Sequence, residues 1–399
     1  MRISERGKIA PASPIRKLYP LADQAKLRGV DVYYLNIGQP DVASPEAYFE
    51  GIRSFSSPVV EYQSSQGIQN LRAAWAEYLS RSLNIKLKSD NFVITAGASE
   101  ALLFAFASCA DVGDEMIVFE PTYTNYFSFA NTLGFSLIGV PLEKDSKFSY
   151  PSIERCCHFL TERTKAILIC SPNNPTGTTL TKLQLDSLIQ FAREKSLWLI
   201  VDETYRELIF DGVPISALAA EGSLEHVVVI DSFSKRFSLC GARIGSIISY
   251  NKELMNVCLK LAQARLSVST VEQVAALRVL ENSPDEFIKE LVVEFKSRRD
   301  LFAKEFLKIK DAKLYLPDGA FYAIAELPVD DATSFAEFML TTFNLEKETV
   351  FITPAEGFYL TPGMGRNQAR FAFVLAGDRL RRAVEILAAG LASYNSQKH

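Results

Sequence analysis

Between about residue 90 and about residue 285 the chain alternates short apolar runs with longer stretches that carry apolar residues at helical spacing. The runs Phe92–Thr95, Met116–Phe119, Ala166–Cys170, Leu197–Val201, Val227–Asp231 and Ser246–Ser249 predict strands. Lys182–Lys195 and Leu254–Gln263 predict helices between them. Strands that alternate with helices predict a mostly parallel sheet covered on both faces. Glu100–Ala110 is apolar almost all round, which predicts a buried helix. A second region follows the break at Ser283-Pro284: a long amphipathic helix over Phe287–Phe306, strand-like pieces at Phe321–Glu326 and Ala369–Val374, and a final helix over Asp378–Leu391. The expected fold class is α/β, a large domain built on a mostly parallel sheet flanked by helices, with a smaller α+β domain. The first 30 or so residues hold three prolines and mixed charge and read as an arm or lid. The chain has no internal repeat and no low-complexity tract.

Composition narrows the function. The chain has 399 residues, 48% of them hydrophobic and 23% charged, enough to bury a large core. Its formal net charge of −4 offers no basic excess for nucleic acid or an anionic membrane. No apolar run reaches membrane-spanning length, and Met1–Lys8 is too polar for a signal peptide. The six cysteines are scattered apart from Cys156-Cys157, and they read as buried thiols of a reducing, cytoplasmic compartment. With only three histidines, one of which (His158) follows Cys156-Cys157 without further cysteines or histidines at metal-binding spacing, no metal site is expected.

The candidate chemistry sits at the ends of the expected strands. Gly97-Ala98-Ser99 joins a strand to the buried helix. Free N–H groups at a helix start favour a phosphate, and a glycine lets the backbone approach it. Ser99 as an ordinary N-cap is the alternative. Ser171-Pro172-Asn173-Asn174-Pro175-Thr176-Gly177 is a stiff loop that could hold the Asn174 amide in place, or a plain turn. Asp202 stands at the carboxyl end of a strand, where α/β sheets bind ligands. A carboxylate there can keep a pyridine nitrogen protonated and make its ring an electron sink. Glu203 is the other candidate for that role, and Tyr205 could hydrogen-bond a ring oxygen. Lys235 is protonated and a poor nucleophile when free, yet becomes part of a catalyst when linked to a carbonyl cofactor. Around it, Ser232, Ser234 and Arg243 offer donors for a phosphate. Arg370 is a lone arginine in the apolar segment Ala369–Phe373 and needs an anionic partner, either a carboxylate ligand or a structural ion pair.

In this order, these motifs resemble the fold-type I aminotransferases of class I/II, which depend on pyridoxal 5′-phosphate (PLP). The resemblance runs from Leu35-Asn36-Ile37-Gly38-Gln39-Pro40-Asp41 to Arg370, and the eight-residue step from Lys235 to Arg243 fits it. It implies that Lys235 forms the aldimine with PLP and shuttles the proton between Cα and C4′. Asp202 pairs with the pyridinium nitrogen, Tyr205 and Asn174 hold the phenolate oxygen, and Tyr123 stacks on the ring. Gly97, Ala98, Ser99, Ser232, Ser234 and Arg243 hold the phosphate, which Tyr62 reaches from the other subunit of a homodimer. Gly38, Asn174 and Arg370 bind the substrate α-carboxylate.

The resemblance also implies a PLP-binding domain over 45–285 and a small C-terminal domain over 286–399, with 1–44 supplying an arm and part of the small domain. The partners are then an amino acid, aspartate being the best match, and a 2-oxo acid such as 2-oxoglutarate, by way of pyridoxamine phosphate. One departure stands out: many dicarboxylate-specific relatives carry a lysine in the phosphate loop, where this chain has Ala98 and Ser99. Arg265 lies where other relatives supply a distal-carboxylate arginine across the interface, and an ion pair is its alternative. A carbon–sulfur β-lyase or a transaminase of aromatic or neutral amino acids would use the same cofactor motifs. A PLP-fold sensor joined to a DNA-binding module is disfavoured, because the chain before residue 35 is too short and not basic enough for one.

Overall fold

The computed structural model describes residues 1–222, 224–282 and 284–397. The chain enters a first strand, β1 (Asp31–Tyr34), and leaves it for the main sheet. That sheet holds β2 (Phe92–Thr95), β3 (Glu115–Glu120), β4 (Ser136–Pro141), β5 (Thr164–Cys170), β6 (Trp198–Asp202), β7 (Val227–Ser232) and β8 (Gly245–Ile248). Its seven strands lie in the order β2-β8-β7-β6-β5-β3-β4. Only β8 runs against its neighbours, β2 and β7; the other pairings are parallel. Successive residues of these strands point into two different apolar layers. Ile117, Ile167, Leu199 and Val229 join one, and Met116, Leu168, Ile200 and Val228 join the other. Burial on both faces explains why the strands read as unbroken apolar runs rather than alternating ones.

Helices form where the sequence has them, with ends set by local caps. The expected Lys182–Lys195 helix spans Lys182–Glu194, started by Thr181 and Gln184 in a reciprocal capping box. The expected Leu254–Gln263 helix spans Lys252–Arg265, opened by the Asn251 side chain. The buried helix spans Ala98–Cys109, two residues ahead of expectation, because Gly97 rather than Ser99 is its N-cap. Ser99 therefore lies inside the first turn and is not the cap that the alternative reading supposed. The break proposed at Ser283-Pro284 falls partly on Ser283, outside the described residues. Pro284 itself opens the long helix Pro284–Phe306, a position where its missing N–H costs nothing.

The strands after the long helix are β9 (Lys313–Tyr315), β10 (Tyr322–Glu326), β11 (Glu348–Phe351), β12 (Thr353–Pro354) and β13 (Gln368–Ala372). Four of them form an antiparallel sheet in the order β12-β13-β10-β9. Strand β11 instead pairs in parallel with β1, so the two ends of the chain meet. Leu18, Ala22, Ala25 and Val32 share one core with Phe335, Met339, Val350 and Leu387. Part of the expected arm is thus packed structure: Tyr19–Leu27 is a helix, while the short helix Glu5–Lys8 is exposed. All six cysteines are free thiols. Four are buried as expected, but Cys157 is exposed and Cys240 half-buried. Among the described residues no helix is long and apolar enough to cross a membrane.

Candidate active site

The carboxyl ends of β5, β6 and β7 open together into one cavity of ≈160 Å³, well beyond what ordered water alone needs. At one corner the Ala98–Cys109 helix begins. Gly97 holds φ at +78°, and a Cβ there would sit 2.2 Å from the Arg243 guanidinium. A Cβ on Gly245 would sit 2.7 Å from the Ala98 nitrogen. Two glycines therefore let β8, the helix start and Arg243 close on each other, leaving the first N–H groups of the helix free. Arg243, itself at φ +54°, is steered by the carbonyls of Cys240 (2.9 Å) and Ala96 (3.2 Å). Ser234 lines the cavity with Ala98, Ser99 and Arg243. Ser232 does not: its hydroxyl donates to the Ile244 carbonyl at 2.9 Å and accepts from the Ser234 N–H at 3.1 Å. That capping bond turns Phe233–Arg236 into a one-turn helix where a loop was expected, and it carries Lys235 towards the cavity.

Asp202 ends β6, 4% exposed. Its Oδ1 accepts from the Thr204 N–H and hydroxyl (3.1 and 2.6 Å), and its Oδ2 accepts from Tyr126 at 2.8 Å. Burial pushes its pKa up, against those hydrogen bonds and the charge of Lys235. A buried carboxylate of this kind is stabilised by a cation such as a protonated ring nitrogen. Glu203, the other candidate, faces away. It accepts from Ser216 (2.9 Å) and the Ala217 N–H (2.8 Å) and pairs with Arg206 at 3.0 Å. Tyr205 meets the Tyr322 hydroxyl at 3.0 Å, and burial raises its pKa. Tyr123 lines the same wall, and burial pushes its pKa up to about 12.

Lys235 Nζ donates to the Gly38 carbonyl at 2.8 Å and lies 3.4 Å from the Cys240 sulfur. A Cβ at Gly38 would fall 1.6 Å from the Tyr322 hydroxyl oxygen, so any side chain there would displace the Tyr322 ring. Arg370, on β13, is 1% exposed. It donates to Asn174 Oδ1 at 3.0 Å and to the Asn36 carbonyl, and packs 4.5 Å from the Tyr322 ring. Its Nε has no partner, and among the described residues no carboxylate pairs with it. Burial pulls its pKa down, with the nearby tyrosines Tyr322, Tyr205 and Tyr123 acting the other way. Arg370 has only donors, so Asn174 must turn its oxygen to it. The Asn174 amide nitrogen is then left to donate elsewhere in the cavity.

Besides Ser232, the expected site residues Tyr62 and Arg265 do not line this cavity. Tyr62 is 79% exposed. Arg265 donates to Glu100 at 3.1 Å and to the Ile94 carbonyl at 3.0 Å, which is the ion-pair alternative. Conversely, Tyr126, Tyr322, Cys240 and Arg16 join the site unforeseen. Only Tyr126 had an available signal, three residues beyond Tyr123 at the start of the helix Asn125–Leu133.

These residues fit PLP. A cradle that a Cβ would fill suits a phosphate, a buried unpaired carboxylate suits a pyridinium, and a buried arginine with a free donor suits a carboxylate. The fold and this layout define a PLP-dependent transaminase. The chain belongs to the aminotransferases of class I and II, whose family pattern matches residues 30–387. It is 33% identical over 376 residues to an aspartate aminotransferase of Thermotoga maritima, covering 93% of this chain and 95% of that one. It is 32% identical over 373 residues to a (5-formylfuran-3-yl)methyl phosphate transaminase of Methanocaldococcus jannaschii, covering 93% and 94%. Among solved structures, the Thermotoga maritima aspartate aminotransferase superposes with a TM-score of 0.88 at 30% identity, over 98% of this chain and 100% of that one. The Thermus thermophilus aspartate aminotransferase with maleate gives 0.88 at 28% identity over the same shares.

Proposed function

We propose that this chain moves the amino group of an L-amino acid, aspartate first among the candidates, to a 2-oxo acid such as 2-oxoglutarate. The observation that carries the reading is Arg370, a buried guanidinium that has no acid partner among the described residues and lines the same cavity as Lys235. A bidentate α-carboxylate would fill the vacant donor and hold the substrate amine towards the lysine. When bound, PLP supplies an aldehyde carbon that takes up amines and a cationic ring that draws electrons from the substrate Cα.

The chain's own residues do the rest in this reading. Lys235 Nζ holds the cofactor until a substrate amine takes its place, then carries the Cα proton to the cofactor carbon. Asp202 keeps the ring nitrogen protonated, with Tyr126 and Thr204 fixing the carboxylate. Tyr205 and Asn174 donate to the ring oxygen, and Tyr123 covers the ring. Gly97, Ala98, Ser99, Ser234 and Arg243 hold the phosphate.

The same reading makes 45–285 the PLP-binding domain and joins 1–44 to 286–399 in the small one. It also makes the enzyme a homodimer in which Tyr62 reaches the partner's phosphate site. Support comes from exposed Val59, Val60, Tyr62 and Leu266 on two adjoining segments. Those segments are linked by Gln63 N–H to Ser267 (3.4 Å) and Thr270 to the Glu61 carbonyl (2.7 Å). Six free thiols suit a reducing cytoplasm.

The test is an absorbance titration of PLP-loaded protein with single amino acids and no oxo acid. Bleaching of the yellow band by aspartate or glutamate, restored by 2-oxoglutarate, is expected. Ammonia release without bleaching would mean a lyase, and a protein that never takes up PLP would end the reading.

A further inference from the structure

Four cations line the cavity: Arg16, Lys235, Arg243 and Arg370. Three are tied down. Lys235 donates to Gly38 and Arg243 to Cys240 and Ala96, while Arg370 donates to Asn174 and Asn36. The Arg16 side chain has no hydrogen-bond or ion-pair partner among the described residues. Its backbone, by contrast, is fixed. The Arg16 and Lys17 N–H groups both donate to the Ser13 carbonyl, at 3.0 and 2.9 Å. Pro14 packs so closely on Gly357 that a Cβ there would lie 2.6 Å away. The Asn36 amide donates to the Ile15 carbonyl at 3.2 Å, and the carbonyl of the same Asn36 accepts from Arg370. Asn36 thus ties the turn that carries Arg16 to the arginine that awaits the α-carboxylate. Arg16 and Arg370 both act on the Tyr123 phenol, each opposing the upward push of burial.

A free arginine on an open surface needs no explanation. Arg16 is itself exposed, yet it lines the substrate cavity, where the other candidates for a second anion are spent or uncharged. Arg265 is neutralised by Glu100, and Ser99 has no charge. We infer that Arg16 binds the distal carboxylate of a dicarboxylic substrate, so that the N-terminal turn of the chain sets donor specificity. The inference rests on the transaminase reading for the identity of the substrate, but its binding part can be measured without turnover.

The experiment compares the wild type with Arg16→Gln and Arg16→Lys as PLP-loaded protein. The ratio of kcat/KM for aspartate and glutamate to that for alanine and phenylalanine should fall by about 10–100-fold in Arg16→Gln, the range for losing a hydrogen bond to a charged group. Arg16→Lys should recover part of it. In parallel, maleate and propionate are titrated as non-reacting probes, and Arg16→Gln should weaken maleate but not propionate. Equal losses for both donor classes, or an unchanged maleate Kd, would overturn the role. If the wild type turns over neutral or aromatic donors and no dicarboxylate, Arg16 loses its role while the transaminase reading stands. If no amino acid reacts at all, that reading fails, and maleate binding alone still decides Arg16.

Discussion

Gly97 sits at φ +78° with the Arg243 guanidinium where a side chain would go. Gly97→Ala would add left-handed strain of about 1 kcal/mol and push Arg243 off the helix start. The expected outcome is a PLP Kd raised at least tenfold with only a modest loss of stability; an unchanged Kd would separate the glycine from the phosphate. Asp202 is a second case. Burial raises its pKa in the folded state. At low pH both states are protonated and its contribution to stability is intact. As pH rises past about 4 the unfolded chain releases its proton first, so stability is lost through the window up to the raised folded pKa. Glu203 is raised by the same cause and adds to the slope. Carboxylates with lowered pKa, such as Glu326 and Glu348, add the opposite slope, so the test is differential: in urea denaturation of the cofactor-free protein, stability should fall less, or rise more, with pH above about 4 in Asp202→Asn than in the wild type. The same variant, loaded with PLP, should lose about 10–100-fold in kcat/KM, because an amide cannot balance a ring cation. Sequence alone identified Gly97 and Asp202 as candidates from their neighbours in the chain. It left the choice between Asp202 and Glu203 open, because adjacent residues at a strand end differ only in which way they face.

At the scale of elements, the strand ends that line the cavity rest on a buried charged layer. Arg236, next to Lys235, pairs with Glu207 at 3.0 Å and with Asp231. Trp75, on the helix Gln69–Leu83, donates to Asp231 at 3.2 Å, and Tyr78 to Glu207 at 3.0 Å. Arg206 joins Glu203 and Glu207 at 3.0 and 2.8 Å. These bonds fasten the ends of β6 and β7 to a helix more than a hundred residues away in the chain. Removing one partner leaves buried charge uncompensated, so Arg236→Met should cost about 3–5 kcal/mol in urea unfolding. A loss below about 1 kcal/mol would mean that the layer is not what holds the strand ends. Periodicity had located the strands and helices of this region. It could not reveal the layer, since an Arg beside a Lys in a sequence reads as a solvated charge until the packing buries it.

Over the whole molecule, the candidate cavity draws on residues 16, 38, 98, 123, 174, 202, 235 and 370, from both ends of the chain and its middle. In solution the protein should have twice the mass of one chain by light scattering, and Tyr62→Ala should lower PLP affinity. A monomer with full activity would remove Tyr62 from the site. The sequence by itself determined the layered α/β fold and the motifs that mark a PLP transaminase. Apolar period, turn residues and strand-end chemistry are all short-range and survive without a partner. Only the tertiary structure decided which charges are spent. Arg265 has Glu100, while Arg370 and Arg16 have no acid among the described residues. Whether an ionic group meets a counter-ion depends on contacts across a hundred residues or more, made when burial removes water and leaves each charge to find a partner or wait for a ligand.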